Sequence, residues 1–265
     1  MTLQSNDPVA KPRRGIQSVE IGSQLLLVLA RNAGAMNLRD LAKEAGMSTG
    51  KAHPYLVSFL KVGFVNQDPS GRYELGALAL QLGLARLKRL DPLRVATPLI
   101  ERLAEQTGQS IALAVWGNLG PTIVKLEEPL HPMHVNLRAG SVMSLSNTAT
   151  GRLFAAYMPP KVIENALQRD TLLHGKVGTA QSRQQFESLL VETRKYGLSR
   201  TLGQPIAGID AFCAPVFDSG GHLVMGITAM GPSASFDSHW QGKLARALKA
   251  CAQQVSQEMG QMASG

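Results

Sequence analysis

His131 and His134 stand three residues apart, a spacing at which two imidazoles on one helix face can share a metal ion. Pro132 lies between them and no acidic pair stands nearby, so both read as structural and no metal or other cofactor is expected. Glu127 and Glu128 read as a solvated strand end. Cys213 and Cys251 lie far apart without CxxC spacing and are expected to be buried thiols. The glycines within 203–208 and at Gly220 and Gly221 lack the strand-to-helix context of a phosphate loop. No nucleophile, acid–base pair or metal set assembles, and no enzymatic activity is expected.

Two other groups carry chemistry of a different kind. Ser48, Thr49, Gly50, Lys51 and His53 place hydroxyl, ammonium and imidazole groups within six positions, the donors that read base edges in a DNA groove. Arg39, Arg72 and the early pair Arg13 and Arg14 suit phosphates, which position a protein without specifying sequence. Farther on, Thr148, Ala149, Thr150 and Gly151 open a helix whose unpaired N–H groups and positive dipole end suit a carboxylate. Thr148 acting only as a cap for its own helix is the equal alternative.

The elements that would position these groups follow from periodicity. Residues 1–14 are polar and basic and read as a disordered arm. A first helix starts near Ser18 and stops at 32–34. Asn37 caps a second, 38–45, with Asp40 three residues on as a variant capping box. Gly46 breaks it and Ser48 caps a third helix running to about Val62. Ala52, Leu56, Phe59 and Leu60 form its inner face, leaving Thr49, Lys51, His53 and Ser58 outward. Two short strands, 64–67 and 72–75, flank an Asp68-Pro69-Ser70-Gly71 turn, a wing beside a helix-turn-helix. An apolar helix over 75–90 then leads away.

The chain of 265 residues is long enough for two domains. Residues 1–90 hold 12 Lys and Arg against 6 Asp and Glu, while the rest hold 15 against 13, so the basic excess sits on the part with the helix-turn-helix. There is no apolar run of about 18 residues and no signal-like N-terminus, so no membrane partner is expected and the cytosol is the expected location. After a helix from Asp91-Pro92 to Gly108, strands are expected at 110–116, 121–127, 134–138, 198–202, 209–217 and 222–230. Helices are expected at 151–158, 160–168, 183–196 and 236–262. Strands grouped on a mostly antiparallel sheet with helices make an α+β domain.

The order of these elements, with the segments VNLRAGSVMSLSNTATGRLFAAYMP and GLSRTLGQPIAGIDAFCAPVFDSGGHLVMGITAMGP, resembles the IclR family of bacterial regulators. The resemblance implies a winged helix-turn-helix over 15–75, a linker helix over 76–90, and a GAF-like α+β domain over 91–265. That last domain would bind a small, often carboxylated effector and assemble a homodimer or a dimer of dimers on operator DNA. The family's pocket positions fall at Met143, Leu145, Ala149, Thr150, Gly151, Thr201, Ala211, Thr228 and Met230. The family's best-known small-oxoacid pattern has an acidic side chain, a cysteine and serines there; Ala211 and Met230 make this wall more apolar and imply an effector with an aromatic or other apolar body. Many members carry arginine where this chain has Pro54, and a proline beyond the first turn would bend the recognition helix. The competing class is a small-molecule-binding protein or enzyme in which the N-terminal helices serve only assembly.

Overall fold

Apolar residues three and four apart between Leu25 and Leu56 lie on one side of each early helix and close a first core. The computed structural model describes residues 15–32, 34–88, 91–129, 137–174 and 180–261. The chain divides into two compact units, Met1–Leu90 and Asp91–Gly265. The expected arm, with Arg13 and Arg14, lies outside the described residues, as do His131 and His134.

In the first unit α1 (Gln17–Arg31), α2 (Leu38–Glu44) and α3 (Thr49–Val62) bury Leu25, Val28, Leu29, Leu41, Ala42, Ala52 and Leu56 together with Val65 and Tyr73 of the wing. Gly22 brings α1 against α3: a Cβ there would stand 2.9 Å from Tyr55 Cδ1. Asn37 caps α2 as its spacing predicted, accepting from Asp40 N at 2.9 Å while its amide donates to the Asp40 carboxylate at 2.7 Å. Strands β1 (Val65–Gln67) and β2 (Tyr73–Leu75) pair antiparallel. Met36, between α1 and α2, exchanges two backbone hydrogen bonds with Tyr73 and ties the wing to the helices. Helix α4 (Ala77–Lys88) follows.

In the second unit a single antiparallel sheet has the order β4-β3-β7-β6-β5, built from β3 (Ser110–Gly117), β4 (Gly120–Glu127), β5 (Ser199–Thr201), β6 (Ile209–Phe217) and β7 (Leu223–Pro232). Successive side chains of β6 face opposite ways. Phe212 meets Phe236 and Trp240 on the side of α9 (Lys243–Glu258), while Cys213 packs with Leu153 of α6 (Ala149–Tyr157). Helix α5 (Pro92–Thr107) packs with α9 on the first side, its first turn capped by Asp91. On the other side α6 packs with α8 (Ala180–Tyr196), and α7 (Pro160–His174) contributes Ile163 and Asp170.

Three expectations change here. The last helix starts at Lys243 rather than at 236, because Phe236 is buried in a turn against Phe212 and the Asp237 carboxylate accepts from Lys243 N at 2.8 Å. Leu137 and Arg138 are not in a strand: the chain turns there, with Ser141 N bonded to Arg138 O at 3.0 Å. The rest of that expected strand lies outside the described residues. Helix α7 is longer than expected, reaching His174.

One tight contact sets the start of α6. Gly151 packs its Cα against the backbone at Ser144 and Leu145, and a Cβ there would overlap the Ser144 carbonyl oxygen. Thr148 Oγ1 donates to that same oxygen at 2.7 Å and accepts from Gly151 N at 2.9 Å. From α7 the buried Asp170 carboxylate accepts from Leu145 N at 3.1 Å and Ser144 Oγ at 3.0 Å, fixing the approach from below.

Gly151→Ala is expected to cost about 2 kcal/mol in urea unfolding, since a backbone oxygen cannot swing aside. Gly50→Ala, whose Cβ would meet nothing within 4 Å, is expected to be neutral or to stabilise by up to ~1 kcal/mol. Burial also pushes the Cys213 thiol up to about 12 and the Cys251 thiol up to about 11. Between pH 9 and 11 an unfolded chain loses these thiol protons and the folded chain keeps them, so stability falls as pH rises. Thermal melts of a Cys213→Ala, Cys251→Ala double variant should decline less steeply over that range than those of the parent.

Candidate functional site

The first candidate surface is the outer face of α3. Ser48 caps it by accepting from Lys51 N at 3.4 Å, and Thr49, Gly50, Lys51 and His53 are all exposed. Arg39 on α2 and Arg72 on the wing are exposed as well, and among the described residues no ion pair holds Arg39 or Lys51. The helix runs unbroken through Pro54, which lies beyond the first turn, so the proline does not end it. Its missing N–H leaves the Gly50 carbonyl without the usual partner, and exposure of both residues lets water take that place. At the wing tip Asp68 Oδ1 accepts from Ser70 N at 2.8 Å and Arg72 N at 2.9 Å. The Ser70 hydroxyl and these N–H groups hold its carboxyl below the ordinary range, so the turn is pinned by an anion that stays ionised.

The second candidate is a cavity of about 70 Å³ in the C-terminal unit, roughly five times the 10–15 Å³ that one water needs. Met143, Ala149, Thr150, Thr201, Ala211, Thr228 and Met230 line it, seven of the nine positions named from the sequence. Leu145 and Gly151 do not. Leu145 is buried instead among Ala155, Ile163, Phe186 and Leu190, and Gly151 meets the Ser144 carbonyl. The sequence reading missed Leu137, Ile209 and a cover formed by Gln204, Pro205 and Ile206 between β5 and β6. Two glycines in that loop, Gly203 and Gly208, hold positive φ, which was the available signal.

Among the described residues no charged side chain lines this cavity. Its polar groups are the amide of Gln204 and four threonine hydroxyls, of which Thr150 and Thr228 pair with each other at 2.8 Å. Thr148 Oγ1 already donates its proton to Ser144 O and accepts from Gly151 N. The N–H groups of Ala149 and Thr150, in the first turn of α6, have no acceptor among the described residues. An anion entering here would meet them and the positive end of the helix dipole. The cover is held by Asp210, whose carboxylate accepts from Gly203 N at 2.9 Å and Ser233 Oγ at 2.6 Å.

The chain matches two family models: the IclR helix-turn-helix domain over residues 18–69 and the bacterial transcriptional regulator IclR C-terminal domain over residues 84–257. It is 31% identical to the glycerol operon regulatory protein of Streptomyces coelicolor, over 93% of this chain and 98% of that one. It is 25% identical to the transcriptional repressor IclR of Escherichia coli, over 82% and 80% of the two chains. Among solved structures, Pseudomonas aeruginosa HmgR superposes with a TM-score of 0.82 at 33% identity, covering 94% of this chain and all of that one. The repressor BlcR of Agobacterium tumefaciens, at 18% identity and a TM-score of 0.76 over 94% and 99% of the chains, shares the fold. A helix-turn-helix joined to an α+β domain, matched over both parts and to relatives that are regulators rather than enzymes, makes this chain a transcription regulator of the IclR family.

Proposed function

We propose that this regulator reads its operator with α3 in the major groove and senses a small carboxylic acid with an apolar body in the cavity at the start of α6. The observation that carries the first part is the exposed, unpaired cationic N-terminal half of α3 in a unit that holds the chain's basic excess. Lys51, His53 and Thr49 face base edges; Arg39, Arg72 and, in the arm, Arg13 and Arg14 hold phosphates. Action on an operator sets the working compartment as the cytosol.

The ligand reading rests on the free N–H groups of Ala149 and Thr150 beside a wall of Leu137, Met143, Ile209, Ala211 and Met230. The dipole end receives a carboxylate and the wall rewards apolar area at about 25 cal/mol per Å². A cavity of about 70 Å³ is small for a ring, so an aromatic acid enters only as the Gln204-Pro205-Ile206 cover moves outward. That movement links occupancy to conformation. In α4, Leu80 and Leu84, one turn apart on the same helix face, are about half exposed or more and offer an apolar contact to a second copy of this chain. A two-fold dimer, or a dimer of such dimers, then sets two recognition helices one groove repeat apart, and ligand acts by changing which spacing is populated.

Fluorescence anisotropy on DNA from upstream of its own gene should show log affinity falling linearly with log salt concentration. Arg72→Ala should reduce that slope by about 1 and weaken all sequences alike, while Lys51→Ala should narrow the gap between specific and random DNA. No binding to any DNA, with turnover of a substrate, would overturn the regulator reading in favour of an assembly role for the helices. Calorimetry should show benzoate or phenylacetate binding more tightly than pyruvate. Tighter pyruvate binding would remove the apolar-body part of the proposal, and no carboxylate binding at all would remove the ligand site.

A further inference from the structure

A second cleft, of about 290 Å³, lies beside the cavity and shares Thr201 and Gln204 with its wall. Two arginines line it. Arg152, in the second turn of α6, donates from Nε to Ser146 O and from Nη1 to Arg200 O, both at 2.9 Å. Arg200 donates from Nη1 to Ser238 O at 2.9 Å and lies over the Trp240 ring at 4.3 Å, with Trp240 in turn stacked on Tyr196. Every acceptor here is a neutral carbonyl. Neither guanidinium makes an ion pair with a carboxylate among the described residues, and three of the five N–H donors of Arg152 find no acceptor there.

Among the described residues the one acidic group on the wall is Glu192 of α8, which acts on Arg152 only through space. Burial works against the charge of Arg152, yet guanidinium does not give up its proton in proteins. A half-buried cation fixed by carbonyls, with no contact ion pair among the described residues and only the through-space charge of Glu192 opposing it, is incompletely compensated and already oriented, which lowers the ordering cost of binding an anion. The planar fork of donors matches the paired oxygens of a carboxylate or phosphate.

We propose that this cleft is a second ligand site, taking a small oxyanion, carboxylate or phosphate, on Arg152 and Arg200. It is distinct from the apolar cavity, whose wall carries no charged side chain among the described residues. Because Thr201 and Gln204 belong to both walls, an anion here changes the mouth of the cavity and makes the regulator respond to two ligands.

Trp240 reports on the site directly. The chain has two tryptophans, and Trp116→Phe leaves Trp240 as the single emitter. That protein is titrated with sodium phosphate and, separately, sodium succinate, at ionic strength held constant with sodium chloride. A saturable change in emission, matched by heat in calorimetry, is expected for at least one ion, and which one saturates assigns the ligand as phosphate or carboxylate. Arg152→Gln should abolish saturation. Since that substitution also removes two bonds that join α6 to its surroundings, Glu192→Gln carries the independent test: loss of the opposing charge should tighten binding about threefold. Emission that follows ionic strength alone, or a midpoint that Glu192→Gln leaves unchanged, overturns the proposal.

Discussion

The contact of Gly151 with the Ser144 carbonyl governs the C-terminal unit. With no side chain at 151, the approach segment lies directly on the first turn of α6, and Thr148 can bond both Ser144 O and Gly151 N with one hydroxyl. Asp170 holds the segment from the other side, and Ser199 Oγ holds Ala149 O at 2.6 Å. The helix start is thereby fixed on three sides, and Ala149 and Thr150, whose N–H groups have no acceptor among the described residues, line the cavity. Preorganised donors of this kind need little rearrangement to receive an anion.

The two sites of the C-terminal unit divide polar work in opposite ways. Among the described residues the cavity wall is uncharged and offers backbone dipoles and hydroxyls beside apolar side chains. The cleft concentrates full charges held by carbonyls and an aromatic stack. Alignment of α6 supports both, because Ala149 and Thr150 face the first while Arg152, half a turn on, serves the second. Thr201 and Gln204 belong to both walls.

In the N-terminal unit local chemistry and packing agree. Asn37 and Ser48 cap the helices they precede, Gly46 and Gly63 adopt the left-handed backbone that turns require, and the wing turn is closed by Asp68. Met36 adds a long-range link, a backbone bridge to Tyr73 that keeps the wing in place beside the helices. Pro54 removes a helical donor on the exposed face, where solvent can satisfy the orphaned carbonyl, so continuity of the helix survives.

By itself the sequence determined the caps, the turns and the exposed set on α3, because each depends on residues at most a few positions apart, whereas the sheet order β4-β3-β7-β6-β5 rests on pairings between distant strands. It also placed the start of α6, since Thr148 and Gly151 are local signals. The assignment of Leu145 and Gly151 to the cavity did not survive, and the cover of Gln204, Pro205 and Ile206 was not foreseen. Which face of a buried loop residue meets a void and which meets Phe186 depends on elements more than forty positions away. The Arg152 cleft is a case of the same rule: its acceptors come from Ser146 and Arg200, its opposing charge from Glu192 and its stacking partner from Trp240. Only the tertiary structure brings these together, because how far a charge is compensated is a property of everything around it and of no segment alone.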